Sequence, residues 1–373
     1  MMSICALCDV EITDGLDSKE HIIPNSIGGR KKVKGFICNQ CNNKTGSQWD
    51  TELARQLNPL SLIFHIKRER GEPPSQNFDA TNGEKLTLHH QGGMSPSKPD
   101  FKEEVLEGKT NINIVARDLD EAKRILKGVK KKYPLADTDK VLNDAVVEYR
   151  YLDGMLNMSL EFGGAEAGRS IVKTVLALAS HSGIAPDACE HAINYLRYDG
   201  EPCFGYYYER DLIVNRPPSI PLHCVAISGD PETGLLVGYL EYYGVRRVIV
   251  CLSEKYSGAK LAANYAVDPV IGAELEVNVD ISLTIEDIAA AYNYEKCDPD
   301  LIVDCFNQVM PRAIEASHER ERKRVTSRAV EYAFKNCGAE EGQVLTEGQM
   351  RVLSGKLAEK MIPYIMSRIK KTK

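Results

Sequence analysis

An acid and an imidazole, Glu20-His21, stand side by side in the stretch SKEHIIPNSIGG, between two C-x-x-C pairs, Cys5/Cys8 and Cys38/Cys41. An imidazole titrates near neutral pH and can take a proton from an attacking water. A carboxylate is a hard oxygen donor for a divalent cation. Adjacent residues of a strand point to opposite faces, so on a straight strand Glu20 and His21 cannot share one role. The sharper reading of the pair is half of a metal-dependent active site. Taken alone, the stretch reads equally well as an exposed loop with two unrelated polar residues, and its surroundings must decide.

The two C-x-x-C pairs have the spacing of a structural zinc knuckle. Each pair brings two thiolates to one side of a tight turn, and the 29 residues between Cys8 and Cys38 can fold into a hairpin that returns the second pair to the first. Four thiolates fill a tetrahedral Zn2+ with no open position, so this metal holds the fold and does no chemistry. A module this small buries little apolar surface, and metal binding is a sufficient substitute. The other seven of the eleven cysteines are scattered through apolar or helical text and read as buried free thiols. The odd total argues against a complete disulfide framework.

In order along the chain, S-x-EHIIP, the Gly28-Gly29 turn and C-x-x-C followed by Asn42 resemble the HNH endonucleases, whose strand-strand-helix core is the ββα-metal fold. Among them the sequence is most similar to the zinc-stapled members that share S-x-EHIIP…GG…C-x-x-CN…G…D. The resemblance covers roughly residues 3–55. It implies that His21 is the general base, that Glu20 and Asn42 are ligands of a catalytic Mg2+ or Mn2+, and that the reaction is hydrolysis of DNA phosphodiester bonds. That chemistry needs an activated water and neutralised charge on the scissile phosphate, which a hard cation supplies. One carboxylate and one amide oxygen leave most of an octahedral shell to water and phosphate. Two departures stand out. The family's middle Asn would fall near Val33 and is absent, so the brace for His21 must come from elsewhere, with Asn25 as a candidate. The first acid is Glu rather than the commoner Asp, which moves the carboxylate by one methylene.

Charge is unevenly distributed in a chain whose net charge is −6: residues 1–70 hold 10 Lys+Arg against 8 Asp+Glu, and residues 318–373 hold 13 against 7. The acidic excess lies between two basic ends, which permits a polyanionic partner there. Near Glu20-His21, Arg30, Lys31 and Lys32 in GGRKKVKG and Lys44 in CNNKTG are candidate phosphate contacts. The basic, Glu-interleaved run HERERKRVTSR suits i,i+4 ion pairs on an exposed helix. The tyrosines of FGYYYERD fit a sheet core better than a base-stacking platform. His65, His89, His90, His181, His191, His223 and His318 show no metal-ligand spacing with acids or cysteines.

The elements that must position this chemistry follow from the patterning. The expected fold class is α+β: a small zinc-stapled ββα-metal head plus a larger α+β domain with a mainly antiparallel sheet and C-terminal helices. The expected division is residues 1–57 as the HNH nuclease domain, 58–108 as a connector with a short helix and hairpin, and 109–373 as a regulatory or recognition domain. Helices are expected over residues 119–132, 168–183 and 187–200, the last with Asp187 as its N-cap, and over 285–292, 299–308, 315–335 and 346–369. Strands are expected at 110–116, 144–152 and 155–163, and near 203–208, 223–228, 234–243 and 247–253. No apolar run reaches membrane-spanning length and the N-terminus lacks a secretory pattern, so a cytoplasmic location is expected. One HNH centre cuts one strand, so a double-strand break calls for two heads and hence a homodimer. The modular layout suggests a prokaryotic defence or restriction effector, with an activating protein or nucleotide partner for the C-terminal domain. The alternative is a non-catalytic zinc-containing nucleic-acid-binding module on a partner-docking body.

Overall fold

A computed structural model describes residues 3–106 and 109–370. The chain forms two compact units, one of residues 1–74 with 159–315 and one of residues 75–158 with 316–373. These units cut across the consecutive segments 1–57, 58–108 and 109–373, because the head packs with a sheet far from it in sequence. The architecture is α+β with antiparallel sheets and C-terminal helices.

The first unit opens with two short antiparallel pairs, β1 (Ser3–Ile4) with β2 (Glu11–Ile12) and β3 (Glu20–His21) with β4 (Lys32–Val33). Helix α1 (Asn39–Thr45) is capped by Cys38, and a π-helical turn, Gly46–Asp50, leads straight into α2 (Thr51–Phe64). The connector expected from residue 58 was to carry a short helix of its own. One helix runs through instead, because Leu53, Leu57, Leu60 and Phe64 form a single buried stripe.

The second unit begins with β5 (Gln76–Ala80), β6 (Lys85–Leu88) and β7 (Met94–Pro96), then the hairpin of β8 (Asp100–Leu106) and β9 (Lys109–Val115). Helices α3 (Leu119–Lys132) and α4 (Thr138–Asn143) follow, and then β10 (Leu156–Asn157), which completes a four-stranded sheet in the order β10-β5-β6-β7. The strands expected at 144–152 and 155–163 reduce to β10. Val146 is 88% exposed and Tyr149 65% exposed, so the alternating pattern there has no sheet to lie on.

The chain then returns to the first unit with α5 (Ala165–His181) and α6 (Glu190–Tyr198). A 3-10 turn at Pro186–Ala188 takes up the expected start of α6, and Cys189, not Asp187, holds the cap position. The large sheet is β11 (Phe204–Tyr206), β12 (His223–Asp230), β13 (Leu235–Tyr242), β14 (Arg246–Ser253), β15 (Leu261–Asp268) and β16 (Ala273–Leu275). It is wholly antiparallel in the order β11-β14-β13-β12-β15-β16; the last two strands were not expected. Helix α7 (Ile285–Tyr292) carries a capping box at Thr284/Asp287. Helix α8 (Pro299–Lys335) is continuous through Pro311 where two helices were expected, and α9 (Glu347–Lys370) ends the described chain. No helix among the described residues is long and apolar enough to cross a membrane.

What matters for the site is how the first 74 residues seat on the sheet. Buried His223 of β12 bonds the Ile27 carbonyl through Nε2 (2.8 Å), while its Nδ1 accepts the Tyr243 N–H (3.1 Å). Burial pushes its pKa down to about 4, so the ring is a neutral strut. The Tyr265 hydroxyl accepts the Arg30 and Lys31 N–H groups at 3.2 and 3.0 Å. Arg197 of α6 reaches the Ala6 carbonyl (2.7 Å) and Asp9 (2.6 Å). The Gly28-Gly29 turn is required sterically: Gly28 has φ +99, and a Cβ on Gly29 would lie 1.8 Å from the Ile23 carbonyl oxygen.

Candidate active site and zinc centre

The four N-terminal cysteines converge, with their sulfur atoms all within 4.8 Å of one another. Cys8 and Cys38 Sγ are 3.8 Å apart. The Cys38 N–H donates to Cys5 Sγ (3.3 Å), and the Cys41 N–H to Cys38 Sγ (3.5 Å) at the N-terminus of α1. Burial raises the Cys38 thiol pKa, but that N–H and the neighbouring thiols outweigh it and the net direction is down. Four sulfurs, amide donors aimed at them and a helix N-terminus beside one suit a structural Zn2+.

Strand β3 places Glu20 and His21 on opposite sides, as the alternation demands. Glu20 is inside and 5% exposed. Its Oε1 accepts from Lys173 Nζ at 2.6 Å. Lys173, fully buried in the middle of α5, also donates to Asp50 Oδ2 (2.7 Å) and approaches Thr45 Oγ1 (3.5 Å). The second Asp50 oxygen accepts from Ser170 (2.6 Å). Desolvation alone would lower the Lys173 pKa, but Asp50 and Glu20 outweigh it and the ammonium stays charged. One ammonium faces two buried carboxylates, and burial, with Asp50 adding to it, pushes the Glu20 carboxyl upward against the pull of Lys173.

His21 lies on the outer side, half-buried, with Nε2 3.0 Å from Glu69 Oε2. Lys32, directly opposite His21 in the β3–β4 register, binds the same Glu69 oxygen at 2.7 Å. These contacts pull the Glu69 carboxyl to about 2. Burial lowers the His21 pKa below the ordinary histidine value, with Glu69 opposing and Lys32 and Arg70 assisting, so the ring is neutral at neutral pH. Glu69 is itself fixed by Asn25, whose Oδ1 accepts the Glu69 N–H at 2.8 Å. Val33, where the family's Asn would fall, pairs with Glu20 and is 2% exposed. The brace has thus moved to the segment after α2: Glu69 contacts the ring, and Asn25 holds Glu69.

The remaining candidates divide. Asn42 is half-buried in the first turns of α1, where its carbonyl accepts from the Thr45 hydroxyl at 3.3 Å. Glu20 and the helix bearing Asn42 therefore meet at Lys173, Glu20 directly and α1 through Thr45. Arg30 bonds the Lys67 carbonyl at 2.7 Å. Lys31 lies 5.2 Å from the centre of the Tyr265 ring and 3.7 Å from Glu274. Lys44 is exposed. The buried Tyr207 and Tyr208 belong to the core.

Lys173 and Glu69 were not singled out from the sequence, and Asp50 entered only as the closing D of the family pattern. For Lys173 a signal existed, since one charge interrupts the apolar run of SIVKTVLALA in α5. Glu69 in HIKRER carries no pattern that separates it from a solvated charge run.

Residues 5–58 match the family model described as HNH endonuclease. This match and the four-cysteine cluster fit a zinc-stapled HNH domain at residues 5–58. No curated protein and no solved structure matches the chain.

Proposed function

We propose that the protein is a metal-dependent DNA endonuclease in which His21 is the general base. The observation that carries this reading is a neutral imidazole held by Glu69 on the outer face of β3, within an HNH domain. Glu69 orients the ring by its hydrogen bond to Nε2, Lys32 keeps Glu69 in place, and His21 takes the proton of the attacking water. Lys44, exposed, is available to phosphate, while Lys32 is committed to Glu69. Arg30 and Lys31, engaged with Lys67, Glu274 and Tyr265, contribute positive field to the same loop.

Glu20 and Asn42 are the residues that would hold the divalent cation, whose chemistry is neutralisation of charge on the scissile phosphate and the leaving oxygen. The fit is conditional in one respect. Lys173 takes Glu20 Oε1 at 2.6 Å, so a cation at Glu20 would share that carboxylate with a resident ammonium. This commitment is also what favours a second reading, a zinc-stapled module that binds nucleic acid without cutting it. A defence or restriction role, with the rest of the chain sensing a protein or nucleotide trigger, is consistent with the small share of the chain that the nuclease domain occupies. Homodimerisation is supported by Ile362, Ile365, Met366 and Ile369 of α9, a stripe at helical spacing that is exposed by 47–55%.

The test is a cleavage panel over supercoiled plasmid, branched DNA, single-stranded DNA and RNA, with Mg2+, Mn2+ or chelator. The expected result is metal-dependent cutting of DNA, with linear plasmid appearing directly if two heads act together and open circles if one does. DNA binding without cutting under every metal condition would select the second reading.

A further inference from the structure

A second group of metal-ligating side chains lies away from the HNH domain. His191 in the first turn of α6, Cys251 near the end of β14 and Glu254 just beyond it place one donor atom each within 4.8 Å of one another. Read for spacing, His191 had no ligand partner, because the helix and the strand end that meet here are far apart in sequence. The donors are an imidazole nitrogen, a thiol sulfur and a carboxylate oxygen, a set that suits zinc-class cations and not magnesium. Cys251 is fully buried at the base of the group, the His191 side chain is 31% exposed and Glu254 is exposed, so an ion has a way in from solvent.

A neighbouring group adds negative charge to the cluster. Glu190 Oε1 is buried without a hydrogen-bond partner and stands 3.8 Å from His191 Nε2. Among the described residues neither Glu190 nor Glu254 has a lysine or arginine ion-pair partner, so two carboxylates and a thiol gather around one imidazole. The Glu190 side chain as a whole is 33% exposed, and a cation bound beside it would add favourable charge to this carboxyl-rich cluster.

We propose that His191, Cys251 and Glu254 form a second cation site of the zinc class, with three protein ligands and a solvent-facing fourth position. On binding, the Cys251 thiol gives its proton to solvent as the metal–sulfur bond forms, and a His191 ring nitrogen donates its lone pair. The ion would pin the first turn of α6 to the end of β14. The same helix carries Arg197, which holds the carbonyl of Ala6 in the zinc loop of the head. This inference does not depend on nuclease activity.

The full-length protein, stripped of loosely held metal and then saturated with Zn2+, tests it by elemental counting. With Mg2+ in excess to occupy the Glu20/Asn42 site, two equivalents of Zn2+ per chain are expected for the wild type. H191A and E254Q, at positions open to solvent, are expected to keep their fold by circular dichroism and to retain one equivalent, that of the four cysteines. C251S should do the same, while C8S/C41S should lose the head's ion and keep the second. A wild type that saturates at one equivalent overturns the proposal, as does an H191A/E254Q double variant that still holds two.

Discussion

The two faces of strand β3 carry adjacent residues with opposite fates. On the inner face, Glu20 is shut into a salt bridge with Lys173 and Asp50, where no group of the trio exceeds 13% side-chain exposure. On the outer face, His21 and Glu69 keep 20% and 30% of their side-chain surface open, and the partners come from a loop and a lysine that solvent reaches. Both faces set an ionisable group by burial plus a charged partner, but the outcomes differ. The inner face fixes charge in place and joins the head to α5. The outer face holds a neutral imidazole that solvent reaches. Such a division between adjacent residues is what the alternation of a strand allows.

The largest effect should come from breaking the inner face. Lys173→Met leaves two buried carboxylates without their ammonium, which costs about 3–5 kcal/mol for a broken buried pair. Denaturant unfolding of the first unit should register that loss, and adding Glu20→Gln and Asp50→Asn should recover most of it. If K173M unfolds like the wild type, the trio is not an anchor.

A smaller effect is expected on the outer face. Glu69→Gln keeps the shape but weakens the bond that orients the ring, and cleavage should fall roughly tenfold, equivalent to about 1.4 kcal/mol. The sign of the pH effect follows from the forces on His21. Burial lowers its pKa and Glu69 holds it up, so removing the Glu69 charge moves the acid limb of the rate profile further toward acid. A slower variant with an unmoved limb would mean that Glu69 does not act through the imidazole.

The difference between the faces also explains what could be read in advance. The zinc knuckle and the Glu20-His21 pair are local: ligand spacing within a turn and alternation within a strand are written in neighbouring residues. The helices over residues 119–132 and 285–292 are legible for the same reason, since their periodicity and caps are short-range. The role of Lys173 exists only once α5 lies under the head, and that of Glu69 only once the segment beyond α2 returns to β3 and β4. The unexpected strands β15 and β16 follow the same logic, because pairing along β12 organises text whose alternation is weak. Residues 144–152 failed in the opposite sense: a strand-like pattern without an edge to join does not become a strand.

The central claim is that proton transfer belongs to His21 alone of the pair. The most direct measurement is plasmid nicking with saturating Mg2+ or Mn2+ across pH, comparing the wild type with His21→Ala at matched folded fraction. The account predicts a wild-type acid limb below the ordinary histidine value of about 6.5. It also predicts a loss of about a hundredfold or more in H21A, the span of general-base catalysis, with the limb abolished. An H21A protein that nicks at the wild-type rate with the same acid limb would contradict it.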